Sequence, residues 1–366
     1  MLAIAAIALF LILGRVVTGV FADYRWFSAL GAGPLWRSKT VITFALQVAS
    51  GLLAGAFVFA NLYGVRHSVV SLVLPRRVAN IEIGEEIPGA YLVGAAALLS
   101  LLLGALLTLP GSSWMSWFLA RHGMPFGESD PYFEADLGFY VYWLPFENAV
   151  YLWALITVLV VSAVVIFLYA LTPSLRWERG SLYVSHYVRR HLVVLGSLLI
   201  LLMAWSYRLD AYKVLLAGSG PDGLFTFVDH RAGIPVSLWM SILTVGAAFV
   251  VLFFGWTGQL RVAVIALGAL LVTAFGARQL APAVARHFAP GADANVRERP
   301  YRAVRVDYTR RAFALDRIRT GDSAGLPDLV AAATAVSVWD PLPLERALER
   351  GQQLDGVARG VGWAST

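Results

Sequence analysis

The chain has 366 residues, of which 58 % are apolar and only 14 % charged, with a formal charge of +6 and no cysteine. Soluble domains carry about 25 % charged residues, so apolar surface on this scale has to face lipid. The lack of cysteine excludes disulfides, thiolate metal ligands and a cysteine nucleophile. The basic charge shows no stripe with base-stacking aromatics, so it suits anionic lipid headgroups and argues against nucleic acid.

A helix needs about 20 apolar residues to cross the hydrocarbon core, and seven runs qualify. The first, near 2–20, has no basic leader and continues directly into Phe21, Tyr24, Trp26 and Phe27. It therefore reads as a retained span rather than a signal peptide, with Arg15 able to snorkel near its far end. The second covers about 40–63. In it Gly51 and Gly55 stand four apart, a small-residue face that lets another helix backbone come close. Packing within the chain is the plain reading of that face, and homodimerisation is the other. A loop with Arg66, His67, Arg76, Arg77, Glu82, Glu85 and Glu86 leads to a third span near 90–109, ended by Pro110 and Gly111. Trp114, Trp117 and Phe118 then recur three and four apart ahead of Arg121 and His122, the pattern of a short amphipathic helix lying in the interface.

Residues 128–146 form the most acidic segment between apolar runs, and it is dense in aromatics. It carries Glu128, Asp130, Pro131, Glu134 and Asp136, then Phe139, Tyr140, Tyr142, Trp143, Pro145 and Phe146. Rings beside a span favour the membrane–water boundary, so the segment reads as a structured re-entry into the bilayer. Asp130 before Pro131 has the form of a helix N-cap with proline at the first helical position. The fourth span, about 149–171, has no charge. Arg176, Arg179, Arg189 and Arg190 follow as the clearest basic loop.

The fifth span, about 192–207, exits through Trp205, Tyr207 and Tyr212, read as an aromatic belt around Arg208 and Asp210. Gly218, Gly220 and Gly223 formally match a dinucleotide fingerprint. That fingerprint needs a soluble βαβ unit, whereas here it lies between two spans, so the reading is a turn. The sixth and seventh spans cover about 235–254 and 260–277, with a tight turn at Gly255 and Gly258. Beyond Arg278 the chain alternates arginine with aromatic and aliphatic residues. It reads as an extramembrane tail, helical over 301–315 with short helices near 326–336 and 342–348. No internal repeat of 20–50 residues is visible.

Chemistry-bearing patterns are sparse. No Asp or Glu falls inside the seven runs as drawn, which weakens ion-coupled transport. Gln47 and Asn61 are the most polar side chains within the second run, each open to satisfaction by a neighbouring helix. The six histidines (His67, His122, His186, His191, His230 and His287) lie in loops or at span ends without metal-ligand spacing and read as solvated or interfacial. Asp130, Glu134 and Asp136 are hard-cation donors in type, but one turn would not converge all three. No catalytic, metal or cofactor residue is assigned.

Four motifs in order, DYRWFSALG after the first span, SDPYFEADLGFYVYWLPF, WSYRLDAY and VRERPYRAVRVDYTRRAFALD, resemble the large bacterial group known as uncharacterised protein family UPF0182. The likeness runs over essentially the whole chain. It implies seven plasma-membrane spans followed by a long extracytoplasmic region, of which a chain ending at Thr366 would hold only the start. It implies no reaction. Charges alone lean slightly toward a cytoplasmic tail, because Arg286, Arg297 and Arg299 lie near the last span. The resemblance implies the reverse, N-terminus inside and tail outside, and that orientation is adopted.

The expected fold is thus an all-α membrane bundle of about seven transmembrane helices over 1–284, with an interfacial amphipathic helix and a short helical, arginine-rich tail over 285–366. The expected role is an anchor or assembly platform at the cell envelope. Its partners would be the bilayer, anionic headgroups and envelope proteins. Contact surfaces would be the acidic loop and the tail, and no nucleic acid or cofactor is involved. A transporter or channel is the alternative, requiring a polar cavity lined by Gln47, Asn61 and Arg15. A membrane enzyme acting on lipid or cell-wall precursors at Asp130 and Asp136 is the third reading. Oligomeric state stays open.

Overall fold

The computed structural model describes residues 2–69, 77–78, 81–82, 89–172, 175–178, 181–220, 223–288 and 293–315. The expected helices near 326–336 and 342–348 lie outside the described residues, as do Arg76, Glu85, Glu86 and Arg179. Two compact units divide the chain, Met1–Arg302 and Ala303–Thr366.

In hydrocarbon every backbone N–H and C=O has to be satisfied within the segment, which selects helices. The regular elements among the described residues are helices apart from two small antiparallel hairpins, β1 (Arg77–Val78) with β2 (Ile81–Glu82) and β3 (Leu175–Glu178) with β4 (Ser181–Val184). The helices are α1 (Leu2–Ala29), α2 (Gly33–Val69), α3 (Gly89–Leu106), α4 (Ser113–His122), α5 (Leu144–Ala170), α6 (His186–Leu216), α7 (Ile234–Thr257), α8 (Leu260–His287) and α9 (Ala294–Ala312). Among the described residues six helices are long and apolar enough to cross a membrane: Gly33–Arg66, Gly89–Leu106, Phe139–Ala170, His186–Leu216, Asp229–Thr257 and Leu260–His287. Their outward faces carry large bare hydrophobes such as Leu52, Phe167, Phe249 and Val272, as expected where lipid is the solvent.

The spans run longer than the apolar stretches alone. α5 and α7 each start on a wider π-helical turn, Phe139–Trp143 and Asp229–Gly233, and each carries a proline (Pro145, Pro235) in its first turn. Proline has no N–H and its ring crowds the carbonyl four residues back. A π turn at that point moves the carbonyl aside. The fourth span therefore begins before residue 149, and Glu147 lies in its first turn. The reading that no acid enters a span is corrected accordingly.

Packing runs from α3 to α2, α5, α6, α7 and α8. One core joins Val58, Leu62 and Val65 of α2 to Val161, Val165 and Tyr169 of α5 and Val188 and Leu195 of α6. A second joins Ile200 of α6 to Met240 and Ala248 of α7 and Leu270 of α8. Gly51 and Gly55 face α3: a Cβ on Gly51 would stand 3.0 Å from the Gly104 carbonyl oxygen, and one on Gly104 2.7 Å from that of Gly51. Only glycine permits that approach.

The succession of antiparallel helices leaves two ends. One gathers α4, the 123–138 loop, the loop after α6 and the start of α9. The other gathers the end of α2, the start of α6 and the α7–α8 turn.

Candidate functional site

The first end is built on buried carboxylates. Asp130, 6 % exposed, accepts hydrogen bonds from the backbone N–H groups of Tyr132 (2.8 Å), Phe133 (2.7 Å) and Ala135 (3.0 Å) and from the Tyr140 hydroxyl (2.9 Å). This is cap-like chemistry, but residues 131–133 form a turn rather than the helix expected after Pro131. Glu134, in left-handed backbone at φ 56°, ends it. An isolated β-bridge between Ser129 and Asp136 closes the loop. Asp136 accepts from the N–H groups of Phe126 (3.0 Å), Gly127 (2.9 Å) and Gly138 (2.7 Å). The Phe126 N–H foremost holds its carboxyl below the usual carboxylate range. The two aspartates therefore serve different sets of backbone donors. Among the described residues no three His, Asp or Glu side chains converge on a metal-sized site.

A second loop repeats the device. Asp229, 3 % exposed, opens the other π turn and accepts from the N–H of Ser219 (3.0 Å), from the N–H of Thr226 (2.9 Å) and from the Thr226 hydroxyl (2.8 Å). Gly218 and Gly220 lie flush against Leu224, where a Cβ on either would come within 2.7 Å of its carbonyl oxygen. That close approach, with no strand before it, is what the glycines serve.

The loops meet through rings. Tyr132 of the first contacts Phe225 (centroids 4.6 Å apart) and His230 (5.0 Å) of the second. Tyr301 of α9 stacks parallel to Tyr132 at 6.2 Å, and its hydroxyl lies 2.9 Å from His230 Nδ1. Glu298, one turn earlier on α9, accepts from the Phe227 N–H at 3.2 Å. Burial pushes the Tyr301 hydroxyl above the usual phenol range. The start of α9, up to Arg302, is thereby fastened to both acid-centred loops.

A layer beneath is charged. Glu147 accepts through Oε1 from Trp205 Nε1 (2.9 Å) and from the Arg208 guanidinium, and through Oε2 from Trp143 Nε1 (3.2 Å). Trp205 and Tyr212 turn inward onto Tyr140, Leu144 and Leu209 and are not an outward belt. Tyr207 packs on the α7–α8 core. Asp210 makes a 3.5 Å pair with Lys213. Phe139 meets Tyr212 at 5.0 Å, and Phe146 meets Trp117 of α4 at 5.0 Å. Pro131, Glu134 and Pro145 are exposed.

Polar groups near the other end pair across helices. His191 of α6 contacts Asn61 Oδ1 through Nε2 (2.8 Å) and the Tyr169 hydroxyl through Nδ1 (2.7 Å). Asn61 is thus satisfied by a neighbouring helix as expected, while His191 is part-buried and corrects the reading of all six histidines as solvated or interfacial. Gln47 lines an open groove of 740 Å³ between α2 and α3, and Arg15 is exposed on α1. Asn61 and Arg15 do not line that groove.

The sequence pointed to no role for Tyr132, Glu147, Asp229, Glu298 or Tyr301, and His230, read as solvated or interfacial, instead meets Tyr132 and Tyr301. Tyr132 and Tyr301 each follow a proline inside a quoted motif, the one available signal. Glu147 lies a single residue beyond the aromatic segment.

The model of the uncharacterised protein family UPF0182 matches residues 1–356. The chain belongs to this family. A UPF0182 protein of Rhodococcus jostii is 30 % identical over 379 residues, covering 97 % of this chain and 38 % of its own length. One from Geobacter sulfurreducens is 28 % identical, covering 97 % and 41 %, and one from Desulforamulus reducens is 24 % identical, covering 92 % and 39 %. The chain spans well under half the length of these UPF0182 relatives. No solved structure matches it.

Proposed function

We propose that the chain is the membrane part of a bacterial envelope protein, an anchor and platform that sets where an extracytoplasmic region begins. The observation that carries this reading is the fastening of α9 by Tyr301 and Glu298 to the two acid-centred loops. A span that merely tethered a domain would need no such seat for the helix after it. In this reading α1 is a seventh span and α4 lies in the interface, its Trp117 on Phe146. The N-terminus is cytoplasmic, the tail is outside, and the membrane is the plasma membrane.

That orientation rests on the family: Arg66, Arg189, Arg190 and Arg261 stand at one end and Arg121, Arg208, Arg231, Arg286, Arg297 and Arg299 at the other, so the basic residues, which are what the positive-inside rule weighs, lean slightly the other way. Anionic headgroups and envelope proteins are the partners this arrangement suits.

Paired reporter fusions at Thr366, one active only inside the cell and one only outside, test the orientation. An outside signal is the expected outcome. An inside signal overturns the orientation and with it the platform for an external region.

A further inference from the structure

The arginines at the two ends of the bundle are treated differently. Arg208, at the acidic end, is spent on Glu147. Arg189 and Arg190, in the first turns of α6, have no carboxylate partner among the described residues. Both are nonetheless held in place. The Arg189 guanidinium donates from Nη2 to His186 Nδ1 at 3.0 Å, and its Nε is buried without a hydrogen-bond partner. It lies against Gly258 in the α7–α8 turn, where a Cβ would stand 3.0 Å from Nη2 and the backbone is left-handed at φ 96°. Arg190 lies over the Trp256 ring at 5.1 Å. An arginine stacked on a ring keeps its N–H edge free for an acceptor.

The side chains of two consecutive arginines thus reach one place at the end of the candidate spans, Arg189 against Gly258 and Arg190 over the exposed Trp256, and present N–H donors there without a carboxylate among the described residues. Phosphate oxygens match the fork of N–H donors. We propose that Arg189 and Arg190, backed by Gly258 and Trp256, form a notch for the phosphate of an anionic phospholipid. The notch rests on the reading of α6, α7 and α8 as membrane spans. With the N-terminus inside it faces the leaflet where anionic lipid lies against the cytoplasm, although binding itself does not depend on which side that is.

The test uses the full chain in mild detergent, titrated with phosphatidylglycerol or phosphatidylcholine and read by native mass spectrometry. The wild type is expected to prefer phosphatidylglycerol. Arg189→Gln with Arg190→Gln should weaken that binding roughly thirtyfold, each arginine near the surface being worth about fivefold. Arg121→Gln at the opposite end should leave it unchanged, and Arg189→Lys with Arg190→Lys should restore most of it. Equal wild-type binding of the two lipids overturns the notch, as does a double glutamine variant that binds like wild type. If that variant does not fold, the wild-type lipid preference and the lysine pair decide. Millimolar inorganic phosphate separates the sources. Undiminished lipid binding supports the phospholipid, whereas displacement by phosphate together with phosphate binding in the absence of lipid makes the notch a free-anion site and removes the lipid assignment. A chain that fails to insert into lipid nanodiscs would sink the span reading beneath the proposal, whereas insertion with no lipid preference would sink the notch alone.

Discussion

Asp130, Asp136 and Asp229 show what carboxylates do at a bundle end. Each satisfies several backbone N–H groups that a tight loop would otherwise leave bare. The donors at Asp130 and Asp229 are part-buried, and leaving a buried donor unmet costs about 1–3 kcal/mol. The depressed carboxyl of Asp136 has a pH consequence. Its contribution to stability is fully present above the unfolded carboxyl value of about 3.9 and is lost as pH falls through that value toward the lower folded one. Thermal unfolding followed from neutral to acid pH should therefore steepen on the acid side in the wild type and flatten in Asp136→Asn. Glu147 poses a different question, because it binds Trp143, Trp205 and Arg208 together. Removing one partner of a fully buried pair costs about 3–5 kcal/mol. The Arg208 side chain is 40 % exposed, so solvent screening lowers the expected loss for Glu147→Gln to about 1–2 kcal/mol. A double-mutant cycle with Arg208→Gln should give a coupling of about 1 kcal/mol, and additive losses would show that the tryptophans, not the arginine, anchor the carboxylate.

Among the elements, the α2–α3 hairpin depends on three glycines. Gly51 and Gly55 were legible as a small-residue face, but their partner was not, because spacing within one helix says nothing about which helix fills it. Gly104 supplies the other half. Gly104→Leu should drive the helices apart and cost about 1–3 kcal/mol as overpacking, seen as a lower unfolding temperature in detergent. An unchanged temperature would mean that α3 can slide without loss. The π turns ahead of Pro145 and Pro235 were only half legible. Proline marks a break in the helix ladder, but whether the chain ends, kinks or widens there depends on what packs around it. The same limit hid Glu147 and His191, since apolar runs locate the lipid-facing length of a helix and not its polar ends within the protein.

For the whole first unit, the telling contact is between α9 and the loops. Tyr301→Ala with Glu298→Ala should free the start of α9 and leave the spans intact. Because the chain has no cysteine, a single Cys placed at Arg302 reports this directly. Its labelling rate should rise in the double variant while overall thermal stability stays within about 1 kcal/mol. An unchanged rate would show that the rings merely lie near one another, and the platform reading would lose its support.

Composition and apolar run length by themselves determined that the chain is a helical protein with several stretches able to cross a membrane, because lipid admits only helices and closed barrels and continuous runs of about 20 apolar residues fit helices. The linked motifs determined its family. Which groups meet was decided by tertiary structure alone. Tyr132, His230 and Tyr301 are up to 169 positions apart and have no shared local pattern, and Asn61 reaches His191 across 130. Such contacts are set by how α2, α5, α6 and α7 pack side by side, and a periodicity read along one helix at a time carries no trace of them.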